Sequence, residues 1–131
     1  MLLAAIRRLF SEDFYVQIHE NRYVITSMDN PGESRRFPAT DAFSTSRLLV
    51  GHFLVAETLL RASLGQMNGG SRLKSYRLIM HPRDKAEGGL CEVETRVLQD
   101  LAFGAGAHDA IIWEKEPLSA TQAKALWDNP Q

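Results

Sequence analysis

The chain reads as an α/β protein, with a mixed sheet of three antiparallel meander strands and two parallel strands joined by helices. Three observations predict it. Apolar and polar residues alternate through the first strands, the two-residue period of half-buried β-structure. Beyond residue 46 the apolar positions recur at three- and four-residue spacing, the period of a helix face. The stretch Leu101 to Pro117, LAFGAGAHDAIIWEKEP, then runs through a helix end, a two-glycine turn, a buried strand and a Glu-Pro step that opens another helix.

Each element follows in order. Phe14, Val16 and Ile18 alternate with Tyr15, Gln17 and His19, and Tyr23 to Met28 forms a second strand after a His-Glu-Asn turn. Asp29-Asn30-Pro31-Gly32 is a strong turn signal, so Ser34 to Pro38 completes the meander. From Ser46 to Leu64 the positions Leu49, Phe53, Ala56, Leu60 and Leu64 keep helical spacing, which makes this the longest helix. A loop over Met67 to Ser71 leads to a strand from Tyr76 to Met80, ended by His81-Pro82. Leu90, Val93, Val97 and Leu101 give the second helix its stripe, and Gly104 and Gly106 suit its stop because glycine accepts the left-handed backbone past a helix end. Ala110 to Trp113 is a short core strand, and Pro117 sits where a first helical residue tolerates losing its N–H. The order β-β-β-α-β-α-β-α is the arrangement of the ribonuclease-H-like fold, although another mixed α/β sandwich fits the pattern too.

Composition narrows the function classes. With 131 residues, 44% apolar and 24% charged, the chain suits one domain with one core. A net charge of −1 and scattered basic residues provide no electrostatic pull on nucleic acid, which is excluded as a first partner. The lone Cys91 rules out an intrachain disulfide and a cysteine-rich zinc site, and its place inside the second helix reads as a buried structural thiol. No run approaches a membrane span, and the N-terminus lacks a secretory cleavage pattern, so a cytoplasmic setting is expected. Residues 1–12 read as an N-terminal amphipathic segment and 13–131 as one module. In that segment Leu2, Leu3, Ile6, Leu9 and Phe10 fall on one side of a helix and Arg7 and Arg8 towards the other. It suits either a peripheral contact with the inner membrane or an apolar patch on its own domain or on a neighbouring copy.

Four short motifs occur in order over most of the chain: Leu9-Phe10-Ser11-Glu12-Asp13-Phe14, Val50 to Leu60, Leu78 to Pro82, and Gly104-Ala105-Gly106-Ala107 through Glu116-Pro117. Together they resemble the MreB family of bacterial actin-like, rod shape-determining proteins. The resemblance implies the actin-like ATPase version of the ribonuclease-H-like fold, truncated to subdomain IA. It also implies a degenerate phosphate loop. Where the family has Asp-x-Gly-Thr-x-Asn, this chain has Gln17-Ile18-His19-Glu20-Asn21, which replaces a metal-facing carboxylate with an amide and puts a carboxylate where phosphate would sit. Glu116 matches the family's water-orienting glutamate, yet with no nucleotide to act on it reads as a relic or a helix N-terminal charge.

No other catalytic constellation is legible. The histidines His19, His52, His81 and His108 show no metal-ligand spacing, and the glycine pairs lack a phosphate-loop context. A nuclease of this fold needs a carboxylate on the first strand, where Gln17 stands. The expectation is therefore a non-catalytic module, without cofactor or metal, that associates with a protein partner, either full-length MreB or a second copy, in cell-shape or cell-envelope organisation. Its expected contact surface is the last helix, through Leu118, Leu126 and Trp127. The alternative is a nucleotide-binding ATPase or sensor using the cleft near Gln17, His19 and Glu116.

Overall fold

The computed structural model describes residues 11–30, 32–69 and 75–128. Five strands form one sheet: β1 (Ser11–His19), β2 (Arg22–Ser27), β3 (Ser34–Pro38), β4 (Ser75–Pro82) and β5 (Ala107–Ile112), in the order β3-β2-β1-β4-β5. β1 to β3 are antiparallel neighbours, while β4 pairs parallel with both β1 and β5. Among the described residues three helices accompany them: α1 (Phe53–Met67) between β3 and β4, α2 (Glu92–Gly104) between β4 and β5, and α3 (Ala120–Asp128) after β5. The protein is thus α/β with a five-strand mixed sheet. The N-terminal amphipathic residues Leu2, Leu3, Ile6, Arg7, Arg8, Leu9 and Phe10 lie outside the described residues.

The two faces of the sheet are covered unequally. On one, Phe14, Val16 and Ile18 of β1, Tyr23 and Ile25 of β2, and Leu78 and Met80 of β4 meet the apolar stripes of α1 (Ala56, Leu60, Leu64) and α2 (Leu98, Leu101, Ala102). Burying each such leucine contributes about 1.5–3 kcal/mol. On the other, a smaller cluster of Tyr15, Met28, Ile79 and Ala123 is closed by Ile111, Trp113, Leu118, Leu126 and Trp127. Because β1 is central it is buried on both faces, and this is why Tyr15 is as enclosed as its apolar neighbours although its place in the alternation reads as polar.

Several element edges depart from the sequence reading. The first helix begins at Phe53 rather than Ser46 and runs on to Met67. Residues 43–52 instead form a loop in which the Phe43 carbonyl accepts bonds from the Gly51 and His52 amides, and Leu49 enters the core from that loop. Cys91 is exposed, not buried: it is the N-cap of α2, in a capping box where the Glu94 carboxylate accepts the Cys91 N–H at 3.1 Å. Pro117 does not open the last helix, which starts at Ala120. The reciprocal bonds Gln122 N–H to Ser119 Oγ (3.1 Å) and Ser119 N–H to Gln122 Oε1 (2.9 Å) mark the true start. At the end of α2 the left-handed residue is Gly106, at φ 115, and a Cβ there would stand 3.4 Å from the Tyr76 ring.

Candidate functional site

The C-terminal ends of β1 and β4, where open α/β sheets commonly bind ligands, carry Gln17, His19 and the Glu20-Asn21 turn among the residues singled out from the sequence. The β1–β2 turn is Glu20-Asn21, with Asn21 in the left-handed region at φ 55. Its side chain is committed: Asn21 Oδ1 accepts the amides of Phe43 (2.9 Å) and Ser44 (2.8 Å), and its own N–H donates to Ser44 Oγ at 3.1 Å. The Glu20 amide donates to the Asp84 carboxylate at 2.9 Å, and the Glu20 carboxylate pairs with Lys85 at 3.2 Å. Lys85 also reaches the Ser46 carbonyl at 3.0 Å. Three loops are therefore laced together, and the turn amides that a phosphate would need are already spent on the Asp84 carboxylate and the Ser44 hydroxyl.

The remaining candidates at this end are dispersed. Gln17 bonds Arg83. His19 lies 3.7 Å from Asp84, yet burial first and the charge of Arg22 next hold its pKa below the ordinary value, so that Asp84 only partly compensates. Glu116 is exposed in the loop before α3, where its carbonyl accepts the Trp113 indole N–H at 2.8 Å. Among the described residues no hydrogen bond or ion pair joins the Glu116 carboxylate to Gln17 or His19, and no group of three His, Cys, Asp or Glu could hold a metal.

Leu118, Leu126 and Trp127, the surface expected to bind a partner, are half-buried against Tyr15, Met28, Ile79 and Ala123 and help to close the chain's own second core. Two polar networks that sequence reasoning missed hold it there. Asp13, 3% exposed, receives Arg77 through Nε (2.7 Å) and Nη2 (2.6 Å), and Lys124 of α3 at 3.1 Å. Burial opposes the Asp13 carboxylate, but Arg77 and Lys124 outweigh it and bring its pKa below the ordinary value. Lys124 also pairs with Asp29 at 3.0 Å, and the Arg77 guanidinium stacks 4.8 Å from the Trp127 ring centre. In the second network Tyr15 and His81 join across β1 and β4, with Tyr15 OH 2.6 Å from His81 Nδ1, while the Leu118 N–H donates to the same hydroxyl at 3.2 Å. The His81 ring also bonds the Lys115 backbone, so in the neutral ring the N–H is spent there and Nδ1 accepts the Tyr15 hydroxyl proton. Burial, then the charge of Arg83, push the His81 pKa down to about 4, and the ring is neutral. The only signals for either network in the sequence were a polar residue at the head of β1 and a histidine before a proline, neither of which names its partner.

Alongside this end runs an apolar groove of about 90 Å³ between the loop before α1, the β4–α2 loop and the first turns of α2. Leu49, Val50, Pro82, Leu90, Val97 and Leu98 form its floor and walls, and Leu48 and Val93 its lips. Leu90 is positioned by its amide, which donates to the Glu114 carboxylate at 2.8 Å. Val93 is 72% and Leu48 46% exposed, two of the four large apolar side chains that stand open to solvent among the described residues. Asp84 and Glu94 supply carboxylates at the rim, and Lys85 there is already paired with Glu20. Val93 belonged to the stripe expected to bury the second helix; the stripe instead turns part of its width outward at the N-terminal end.

No family model matches the chain. Over 98 residues it is 33% identical to YjaA, an uncharacterized protein of Escherichia coli (strain K12), in an alignment covering 70% of this chain and 74% of YjaA. This overturns the resemblance to MreB. The short motifs that carried it, Val50 to Leu60 and Gly104 to Pro117 among them, mark local features such as a helix stop followed by a buried strand, which call for the same glycines and β-branched residues in unrelated sequences. With identity of 33% sustained over 74% of that relative's length, the chain belongs to the YjaA family.

Proposed function

We propose that this protein works by binding another protein and not by catalysis, and that the groove beside α2 is its contact surface. The observation that carries the reading is the meeting of the exposed Leu48 and Val93 at the lips of an apolar cavity of about 90 Å³. Exposed apolar side chains around a concave apolar floor are what a partner's anchoring side chain fills. The laced turn at Glu20 and Asn21 speaks against phosphate binding at the same end, since its amides are spent on Asp84 and Ser44. The proposal takes the fold as ribonuclease-H-like, the strand order β3-β2-β1-β4-β5 with parallel β4 and β5 being the basis for that assignment. A cytoplasmic setting belongs to the same reading. Among the described residues no helix is long and apolar enough to cross a membrane.

The test is capture of binding proteins on the tagged full chain from its own cells, in parallel with a Val93→Glu variant. Val93 is largely exposed, so the variant keeps the wild-type fold. The reading expects a partner bound by the wild type and lost from the variant. An unchanged set of bound proteins, or turnover of Mg-ATP by the purified chain that survives Val93→Glu, would overturn it.

A further inference from the structure

We infer that the groove's occupant is residues 2–10 of a second copy of this chain, exchanged reciprocally to make a dimer. The inference rests on the association reading above and names its partner. Two features of the chain complement one another. The groove is apolar with open lips at Leu48 and Val93, and its rim carries the carboxylates of Asp84 and Glu94, with Glu92 next to Val93 in the first turn of α2. The segment carries Leu2, Leu3, Ile6, Leu9 and Phe10 at helical spacing, with Arg7 and Arg8 towards the other side. A short helix laid in such a groove would bury its apolar side chains and present the two guanidinium groups to the acidic rim, the helix-in-groove mode of recognition.

Reach decides between the chain's own groove and a neighbour's. Ser11 lies at the start of β1, whereas the groove begins at Pro82, which pairs with Ile18 seven residues further along the same strand. At about 3.3 Å per residue that separation is about 23 Å. A helix over residues 2–10 spans only about 14 Å. As a helix the segment falls short of its own groove and is free to enter another copy's. Reciprocity also suits the energetics: one nine-residue segment makes too small a contact to hold alone, and two related by a two-fold axis approach the roughly 1,200 Å² at which interfaces become stable.

The experiment is sedimentation of the full-length wild type, Ile6→Glu, Val93→Glu and an equimolar mixture of the two variants, with folding checked by circular dichroism. The wild type is expected to be a dimer, and each variant to be folded with its dimer dissociation constant raised at least tenfold. The mixture is expected to recover heterodimer, because the Val93→Glu copy still offers a sound segment and the Ile6→Glu copy a sound groove. A wild type that stays monomeric, a dimer indifferent to both substitutions, or variants that fail to complement would each overturn the exchange. So would a monomeric wild type that binds anionic phosphatidylglycerol vesicles through Ile6, which would assign the segment to lipid. A monomeric wild type that still loses a cellular partner on Val93→Glu would sink this inference and leave the association reading standing, whereas a Val93→Glu variant that behaves as wild type in both experiments sinks both.

Discussion

Lowering the pH should unlatch the second core, and His81 sets the window. Its imidazole is 3% exposed, receives the Tyr15 hydroxyl proton at Nδ1 and is also bonded to the Lys115 backbone, so an added proton must take the place of the Tyr15 hydroxyl proton in a buried site. In the unfolded chain the group titrates at its ordinary value of 6.5, and in the folded chain at about 4. A folded pKa below the unfolded one means that stability is fully present above pH 6.5 and is lost as pH falls towards 4, because the unfolded state takes up the proton first. The linkage relation gives a loss of about 2 kcal/mol at pH 5 and about 3 kcal/mol at pH 4, relative to pH 7.5. His19, whose pKa is also lowered, acts in the same direction, so the measurement belongs in a His19→Asn background. Asp13 is largely separable, because a lowered folded pKa means that its contribution is lost only as pH falls from the ordinary value of 3.8 downward, mostly below the series. Urea unfolding of His19→Asn at pH 7.5, 6, 5 and 4.5 should show the decline. The same series in His19→Asn/His81→Gln should start less stable and run nearly flat through the window. Equal slopes in the two series would refute the reasoning.

Two further outcomes follow from the same core. Asp13→Asn leaves Arg77 and Lys124 without the carboxylate between them and should cost about 2–4 kcal/mol in urea unfolding at neutral pH, a loss that 1 M salt recovers only in part because the carboxylate itself is enclosed. Trp127→Ala should cost about 3 kcal/mol, since it empties one side of the second core and removes the stack on Arg77. Trp127→Phe should cost less than about 1 kcal/mol, because it keeps an aromatic ring and removes an indole N–H that is buried without an acceptor. A melting transition unmoved by Trp127→Ala would return that side chain to the surface.

Much of the architecture was legible because it follows from period and punctuation. Phe14, Val16 and Ile18 define β1, Tyr23 and Ile25 define β2, and the α1 stripe through Ala56, Leu60 and Leu64 is where the spacing puts it. The start of α1 was not legible, since Leu49 sits at helical spacing from Phe53 while entering the core from a loop held by Asn21 and Phe43. Periodicity records which residues are buried, not whether the chain between them is helical. Pro117 was misread for a related reason: it can open a helix, but the capping box at Ser119 and Gln122 satisfies more amides. The site was the least legible part. The groove is assembled from residues 48–50, 82–85 and 90–98, and its defining feature, Val93 facing outward, contradicts the stripe it belongs to. The Asp13 and His81 networks span up to 111 residues of sequence, and no local pattern announces a partner at that distance.

The placement of β1 also orders the history of the chain during synthesis. The first strand is the middle of the sheet, and its pairing with β4 joins residues 64 positions apart, as Asp13 and Arg77 do. When β2 and β3 leave the ribosome they can close on β1 as a local meander, but the other edge of β1 and both its faces stay bare until β4 and the helices arrive. In that interval the nascent chain shows an open strand rich in Phe14, Tyr15, Val16 and Ile18, among the stickiest surfaces a growing protein can offer. The face with Phe14, Val16 and Ile18 is covered only once α1 has emerged, and the open edge only once β4 has followed it.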